Sequence, residues 1–299
     1  MGESAFSSLC PDRTHEAPLP AFFTRLLDRE SNIDSAKLAW YEENLDREVL
    51  DYWAVEGPGR LRRAWDTGDA LRERITVREF LSRTGVPGLF ADRARIGIRA
   101  VQAAVVNPWG FVGFQFGEPL LMDLGYYEPE IVTTKENPAG LPAYYAGPVA
   151  PETWRHGRTS FVPPGESRVA TDVNTWRGTF TGKNGVRSLA DLRTLGAQVT
   201  ILRSSLRHSL AVLGELAGPL AVDPWDESWP GPAPAALLAA CHLCGPYGVA
   251  AHLASGAAPS DEAGTPITAY LNEFADVELA REDVYGDSAA WCGTEARTR

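Results

Sequence analysis

Apolar residues between positions 22 and 32 recur at the spacing of a helix, and this pattern constrains the fold more than any other in the chain. Because a helix turns once in ~3.6 residues, the stretch has an apolar side and a charged side, formed respectively by Phe22, Phe23, Leu26 and Leu27 and by Arg25, Asp28 and Arg29. Glu30 continues the apolar side, where partial loss of water disfavours the charged carboxylate and suits a general acid. Periodicity alone favours the plainer interpretation, a helix-terminal glutamate that faces solvent or pairs with an arginine.

A second informative stretch, 107–127, is rich in glycine around Gln115 and Glu118. Glycines suit a tight turn where the backbone approaches a ligand, and Pro119 suits the first turn of a helix. One interpretation puts Gln115 and Glu118 at the rim of a cleft. Taken alone, the stretch favours the other interpretation, a Gly-rich loop that leads into a buried helix.

The remaining sequence predicts a mainly helical protein. Apolar spacing, capping residues and helix breakers predict further helices over 38–53, from Thr76 to Gly85, over 92–106, from Ser188 to 213, over 235–245 and 249–253, and from Pro266 to 274. We expect residues 1–19 to be an extended or disordered lead-in, 20–276 to be the folded domain, and 277–299 to be a polar tail. Within the domain, 35–105 and 128–170 are predicted to be insertions.

Composition narrows the classes of function. The 299 residues include 28 Lys and Arg against 39 Asp and Glu, a net charge of −11. Since the phosphates of nucleic acid demand a basic face, this balance argues against a nucleic-acid partner, and it also counts against tight adhesion to an anionic cell wall. No apolar run approaches the ~18–20 residues of a membrane span, so we expect no span.

The N-terminal residues and the cysteines predict where the protein resides. Residues 1–20 lack the basic and apolar regions of a secretory signal, and four cysteines are too few for a disulfide scaffold. We therefore expect a protein that is cytoplasmic as synthesised, in a reducing environment. Action outside the membrane would need a non-secretory route, with a phage-like particle or another delivery partner.

The sequence lacks the residue patterns that several kinds of catalytic or binding site require. Cys241 and Cys244 have the spacing of a redox pair or half a zinc site, but no second pair completes the zinc site and their surroundings read as an alanine-rich helix. We expect both to be small buried residues, with no metal bound. No Walker-type loop, strand-flanked dinucleotide fingerprint or Gly-x-Ser-x-Gly elbow occurs, so we expect no cofactor. Carboxylate chemistry remains.

Glu30-Ser31 at the end of an apolar helix, followed downstream by Gln115 in its Gly-rich turn, resembles the lysozyme-like transglycosylase superfamily. In that superfamily a Glu-Ser pair carries the acid and a Gly-x-x-Gln-type turn lies opposite it, so the resemblance implies that the turn of Gln115 lies opposite Glu30. Three later segments occur in the order of a lysozyme-like peptidoglycan hydrolase family found in phages and bacteria, and are similar to it: 115–127, 176–186 and 237–270. The resemblance implies a mainly α, two-lobed lysozyme-like fold with a minor β or turn element, long loop insertions and a glycan cleft. It also implies cofactor-independent cleavage of the β-1,4 bond between N-acetylmuramic acid and N-acetylglucosamine.

The resemblance assigns roles to individual residues. Glu30 is the acid, Ser31 is its neighbour in the substrate site, and Gln115 is a hydrogen-bonding residue that positions the substrate. Cleaving a glycosidic bond also needs a second carboxylate or help from the substrate itself, and Glu118 is preferred for this over Asp123 and Asp172. The aromatic side chains that would stack on sugars or line the cleft are Trp109, Tyr126, Tyr127 and Trp176.

The sequence also departs from that family. Glu30 and Gln115 lie about 85 residues apart in the sequence, further than the resemblance leads us to expect, and the charge, the missing signal and the cysteines fit a wall-degrading enzyme poorly. An alternative is therefore the same fold used inside the cell. It would serve as a non-hydrolytic binding or particle-assembly protein, or as an enzyme acting on another small molecule.

Overall fold

The computed structural model describes residues 19–31, 33, 35–51, 73–107, 110–133, 138–142, 174, 176–217, 222–261 and 265–286. These residues are mainly helical with small two-stranded sheets, which confirms the predicted mainly α class. Contacts divide the chain into two compact units. The middle unit is Leu27–Leu195, and the terminal unit comprises the described residues of Met1–Leu26 and Gly196–Arg299.

Short elements build the middle unit. After α1 (Ala21–Ser31), which contributes its last turn, the described helices are α2 (Ser35–Glu43), α3 (Val77–Arg83), α4 (Pro87–Ala91), α5 (Arg93–Ile96), α6 (Ile98–Ala104), α7 (Glu118–Asp123) and α8 (Leu189–Leu192), with a 3-10 turn at Lys183–Gly185. The strands pair antiparallel: β1 (Glu48–Asp51) with β2 (Glu73–Thr76), β3 (Tyr127–Glu128) with β6 (Thr179–Phe180), and β4 (Ile131–Val132) with β5 (Leu141–Pro142).

The apolar side of α1 is buried as predicted. Phe22, Phe23, Leu26 and Leu27 have no solvent exposure, while the side chain of Arg25 is 55% exposed. Asp28 differs from the prediction, because its carboxylate is mostly buried and pairs with Arg99 at 2.5 Å. The helix therefore carries a partly buried polar contact two residues before Glu30.

A cluster of apolar side chains from α2 to α6 forms a core in the middle unit. Its buried members are Ile33, Tyr41, Ile75, Val77, Phe80, Leu81, Val86, Phe90, Val101, Ala104 and Val105. Removing a side chain of this size from water contributes about 1.5–3 kcal/mol. The cluster therefore fixes α6 against the segment that follows Glu30, since Ile33 and Val101 belong to it.

The predicted helix over 38–53 is wrong in its second half. Asn44 ends α2, because its side-chain amide donates to the Trp40 carbonyl at 2.8 Å and satisfies one of the last helical acceptors. The chain then enters β1, whose Val49 lies opposite Ile75 in β2. Pairing with a strand from later in the chain overrides the local helical spacing. Residues 52–59, the predicted end of that helix, lie outside the described residues.

Two other predicted helices are divided. The one over 92–106 breaks at Gly97, whose φ of 83° is left-handed and ends α5. The one beginning at Ser188 is capped as predicted, since the Ser188 hydroxyl accepts from the Asp191 N–H at 3.1 Å, but it stops after Leu192. The Thr194 hydroxyl donates back to the Asp191 carbonyl at 2.7 Å, and a new helix starts at Leu195.

Longer helices dominate the terminal unit: α9 (Leu195–Ala217), α10 (Pro234–Ser255), α11 (Ile267–Glu273) and α12 (Arg281–Tyr285). Phe22 meets Phe274 edge to face with ring centroids 5.7 Å apart, and Arg25 pairs with Glu273 at 3.2 Å. Both contacts fasten the start of α1 within this unit. Helix α12 lies in the expected polar tail, yet its Val284 is fully buried.

Helix α10 is the one described helix with the length and mean hydropathy, 1.3, of a membrane span. Gly245 interrupts it with a φ of 69°, as the sequence predicts for Gly245-Pro246. Its straight segments, 234–244 and 246–255, are each about half of the ~20 residues that cross a bilayer, and residues 235–241 are buried inside the protein. Length and hydropathy alone do not separate a core helix from a span, so the absence of a span stays a prediction.

The two cysteines of α10 are free thiols. Cys241 is buried as expected, whereas Cys244 is half-buried and its Sγ lies 3.8 Å from the Pro259 carbonyl. Burial raises the pKa of the Cys244 thiol to about 11 and also raises the pKa of Cys241. Since thiolates are the reactive form, these surroundings disfavour redox chemistry.

The N-cap of α3 allows a direct test of the helix start that the sequence predicts at Thr76. The Thr76 hydroxyl accepts from the Glu79 N–H at 3.1 Å, which is one of the two bonds of the predicted capping box. We expect Thr76→Ala to lower the free energy of unfolding by about 1 kcal/mol, and Thr76→Ser to retain most of it, because serine keeps the acceptor. Urea unfolding of the three proteins measures this. Equal losses in both variants would show that the methyl group, not the cap, matters.

Candidate functional site

Glu30 is the penultimate residue of α1, and it is half-buried. Its main-chain carbonyl accepts a hydrogen bond from the Gln115 side-chain amide at 2.9 Å. Ser31 beside it is 2% exposed, and its hydroxyl accepts from the Ile33 N–H at 3.2 Å. This bond shapes the turn that leaves the helix, and the predicted role of Ser31 in binding substrate stays a prediction.

The Gly-rich turn holds Gln115 in an unusual backbone conformation. Gln115 has a φ of 61°, which is left-handed and uncommon for a residue with a side chain. Main-chain bonds in both directions between Val112 and Phe116, each 3.0 Å, close the turn around it. The Asn107 side-chain amide donates to Gln115 Oε1 at 2.5 Å, while Asn107 Oδ1 accepts from the Phe111 N–H. Gln115 is therefore fixed at both ends of its amide.

The two segments singled out in the sequence thus lie together, as predicted. The contact differs from the expectation in one respect. Gln115 was expected to hydrogen-bond to the substrate, but its side-chain amide donates to the main-chain carbonyl of Glu30. One N–H of its amide group and one lone pair of Oε1 are left over from these two bonds. The arrangement holds the end of α1, which carries Glu30, in place.

Glu118 lies in the interior, not at a cleft wall. It is fully buried, and its Oε1 accepts from the Trp176 N–H at 2.6 Å. Its own N–H, at the start of α7, donates to Asn174 Oδ1 at 2.6 Å. A buried carboxylate that accepts main-chain N–H groups anchors backbone, so in this structure Glu118 fastens the segment 174–176 to the Gly-rich turn.

Trp176 is half-buried and sits at the junction of these segments. Its φ of 54° is left-handed, and its indole N–H donates to the Gly110 carbonyl at 2.8 Å. The ring lies nearly parallel to Phe180, at 16° and 5.8 Å between centroids, and edge to face with Tyr127. Its stacking on a sugar remains a prediction for the part of the ring that stays exposed.

Tyr126 and Tyr127 are core residues, although the sequence predicted them in the substrate site. Tyr126 has no exposed surface and its hydroxyl accepts from the Asn184 amide at 2.7 Å. Tyr127 is 2% exposed and its hydroxyl accepts from the Gly178 N–H at 2.5 Å. Burial, together with the negative charge of Glu118, raises the pKa of Tyr127 to about 12. Both rings tie 126–128 to 178–184.

Three glycines let these segments approach. A Cβ atom at Gly110 would lie 2.2 Å from the Asn174 carbonyl oxygen, one at Gly117 2.5 Å from the Phe111 ring, and one at Gly178 2.1 Å from the Glu128 carbonyl oxygen. Each distance is far below van der Waals contact. The glycines of both sequence motifs are therefore needed for their mutual packing.

The remaining residues predicted for the site are placed as follows. Trp109 and Asp172 lie outside the described residues, and Asp123 is exposed at the end of α7. No group of three or more His, Cys, Asp or Glu within the described ranges could hold a metal ion. The hydrogen bonds of Asn107 and Asn174 were not predicted from the sequence. The feature that could have indicated them is an asparagine amide beside the Gly-rich turn, for Asn107, or beside the aromatic motif at Trp176, for Asn174.

The chain was compared with known proteins. It matches no protein-family model, no curated protein and no solved structure at a significant level. The lysozyme-like resemblance therefore remains a proposal.

Replacing glycine by alanine is expected to change stability in opposite directions at Gly178 and at Gly214. Gly178→Ala would force its methyl group against the Glu128 carbonyl, and we expect a loss of about 1–3 kcal/mol in the free energy of unfolding. Gly214→Ala in α9, where a Cβ meets no atom within 4 Å, should stabilise the protein by about 0.5–1 kcal/mol. Urea unfolding measures both. A loss at Gly214, or none at Gly178, would contradict the described packing.

The raised pKa of Tyr127 predicts a pH dependence of stability. A tyrosine whose folded-state pKa lies above its ordinary value of 10 contributes stability below pH 10 that is lost as the pH rises through about 12. We expect Tyr127→Phe to lower stability at pH 8, because the bond from Gly178 is lost, but to flatten its decline between pH 10 and 12. Unfolding at a series of pH values tests this, with Tyr247→Phe as the control at a tyrosine that is 44% exposed.

Proposed function

We propose that this protein is a lysozyme-like enzyme that cleaves the β-1,4 glycan backbone of peptidoglycan, with Glu30 as general acid and a two-lobed fold. The observation that carries the proposal is the 2.9 Å hydrogen bond from the Gln115 amide to the Glu30 carbonyl. It joins the Glu-Ser segment to the Gly-rich turn across 85 residues of sequence. These are the two segments on which the resemblance to lysozyme-like transglycosylases was first based.

The second support is the pairing of two further motif segments. Residues 115–127 and 176–186 meet through the bond between Glu118 and the Trp176 N–H and through the strands β3 and β6. A chance likeness in two separate stretches gives no reason for them to pack together. Their contact is what a shared fold requires, and it favours the lysozyme-like interpretation over an unrelated helical protein.

The position of Glu30 suits proton donation. Its half-buried side chain has lost part of its hydration, which disfavours the charged form. The last turn of a helix also carries partial negative charge from its terminal carbonyls, which disfavours a second negative charge there. A general acid at this position would give its proton to the glycosidic oxygen as the bond breaks.

The burial of Glu118 favours a mechanism with one protein carboxyl. A glycosidase with two carboxylates needs the second one at the sugar, but Glu118 is enclosed and bonded to the main chain. In the alternative route, Glu30 gives its proton to the leaving oxygen as the bond to C1 breaks. The sugar's own hydroxyl oxygen then bonds to C1, and its proton returns to Glu30. The product is an anhydro-sugar end, as in a lytic transglycosylase, where attack by water would give a reducing end.

A second candidate function is a non-hydrolytic binding or particle-assembly protein with the same fold, or an enzyme acting on another small molecule inside the cell. Two observations favour it. The side chains of Ser31 and Gln115, which were expected to contact substrate, are bonded to the chain's own residues. The net charge of −11 opposes binding to an anionic wall. This candidate predicts binding of glycan or protein without any cleaved product.

Wall cleavage by Glu30 variants tests the proposal. We expect wild-type protein to clear purified peptidoglycan and Glu30→Gln to be slower by about 10²–10⁴-fold, because glutamine cannot supply the proton. Glu43→Gln is the matched control, since Glu43 is an exposed glutamate at the end of the neighbouring helix α2. Mass spectrometry of the products distinguishes anhydro ends from reducing ends.

The outcomes separate the candidates. Clearing at equal rates by wild type and Glu30→Gln would remove Glu30 from the mechanism. Binding to the wall without clearing, by wild-type protein, would favour the non-hydrolytic candidate. Clearing with only reducing ends would retain Glu30 as the acid and assign the second step to water.

A further inference from the structure

Helix α6 carries a buried amide in an otherwise apolar stretch. Gln102 has no solvent exposure, and its neighbours Val101, Ala103 and Ala104 are buried apolar residues. Burying an amide is unfavourable unless it finds hydrogen-bond partners, so an apolar residue would suit general packing better at this position. The partners of Gln102 therefore indicate what the amide is for.

Those partners converge on the short segment that contains Glu30. Gln102 Nε2 donates to Asp28 Oδ1 at 2.7 Å, two residues before Glu30, and also donates to the Ile33 carbonyl, three residues after it. Gln102 Oε1 accepts from Arg99 Nη1 at 2.8 Å, and the same Arg99 nitrogen donates to Asp28 Oδ1 at 2.5 Å. One amide group thus binds the chain on both sides of the acid.

The geometry of an amide explains why glutamine can do this. Its nitrogen carries two N–H donors and its oxygen is an acceptor, so it can join a carboxylate, a carbonyl and a guanidinium at once. Gln115 holds the intervening Glu30 carbonyl from a different element. Three consecutive attachments, at residues 28, 30 and 33, restrict how the end of α1 can shift or rotate.

We propose that Gln102 is a positioning residue for Glu30, an inference that rests on the proposed role of Glu30 as the acid. Gln102 makes no contact with substrate in this role. It restrains the backbone around Glu30 through its bonds to Asp28 and Ile33, and Arg99 supports it. In this way it keeps the Glu30 carboxyl within hydrogen-bonding distance of the glycosidic oxygen. Misplacement of a reacting group by about 1 Å costs on the order of 10²-fold in rate.

The test replaces Gln102 by methionine, which has a similar length and no amide. We expect Gln102→Met to raise hydrogen–deuterium exchange in peptides that cover 28–33, without raising it in the core helix α3. We also expect a loss of about 10–100-fold in the maximal rate of wall clearing, with an unchanged half-saturating wall concentration. In the Glu30→Gln background, Gln102→Met should cause no further loss of rate, because the group that it positions is gone.

Two further variants keep the result interpretable. Gln198→Met is the matched control, since Gln198 is equally buried but lies on α9 in the terminal unit, and we expect its rate and its exchange over 28–33 to equal those of wild type. Arg99→Met is a milder change, because the Arg99 side chain is 24% exposed and its loss leaves both Gln102 donor bonds. We expect it to fall between wild type and Gln102→Met.

Each outcome supports or overturns either the positioning role of Gln102 or the proposed function. Unchanged exchange over 28–33 in Gln102→Met and Arg99→Met would overturn the positioning role, whether or not the wild type clears walls. A rate loss that is equal in Gln198→Met, or that persists in the Glu30→Gln background, would show a general effect on folding and also overturn it. A wild type that clears no walls would instead defeat the proposed function, while local exchange changes in the variants would still establish the restraint on Glu30.

Discussion

A helix ends with main-chain carbonyls that have no partners inside the helix, and the arrangement of the middle unit follows from how these are satisfied at the end of α1. The Gln115 amide bonds to the Glu30 carbonyl, and the Gln102 amide bonds to the carbonyl of Ile33 just beyond the helix. Both donors come from about 70 residues or more further along the chain. The surroundings of Glu30 are therefore complete only when distant segments have folded around it.

A second set of interior polar contacts fixes the segment from 174 to 184. Glu118 bonds to the Trp176 N–H, Tyr127 to the Gly178 N–H and Tyr126 to the Asn184 amide. All three side chains are almost fully enclosed, where a hydrogen bond has little competition from water. The sequence predicted Glu118, Tyr126 and Tyr127 in the substrate site, but these buried side chains support the Gly-rich turn.

The sequence predicted features that depend on neighbours along the chain, and missed those that depend on distant partners. The buried face of α1, the Thr76 cap and the break at Gly245 follow from local spacing and backbone preference, and the structure confirms them. Strand β1 was predicted as helix, since its pairing with β2 is not visible locally. In the site, the nearness of Glu30 and Gln115 was predicted from a resemblance. The inward direction of Tyr126 and Glu118 was not, because aromatic and acidic residues suit a cleft as readily as a hydrogen-bonded interior.

The pairing of β3 with β6 has a consequence for the length of chain that the fold tolerates between these two strands. Tyr127 lies opposite Phe180 and Glu128 opposite Thr179, so the pairing joins two short strands that are about 50 residues apart in the sequence. The entropy of closing such a loop rises only slowly, by about 0.6 kcal/mol for each doubling of its length. A change in the length of the chain between Pro142 and Asn174 therefore costs the pairing of β3 with β6 little, and the turn that this pairing supports keeps its geometry.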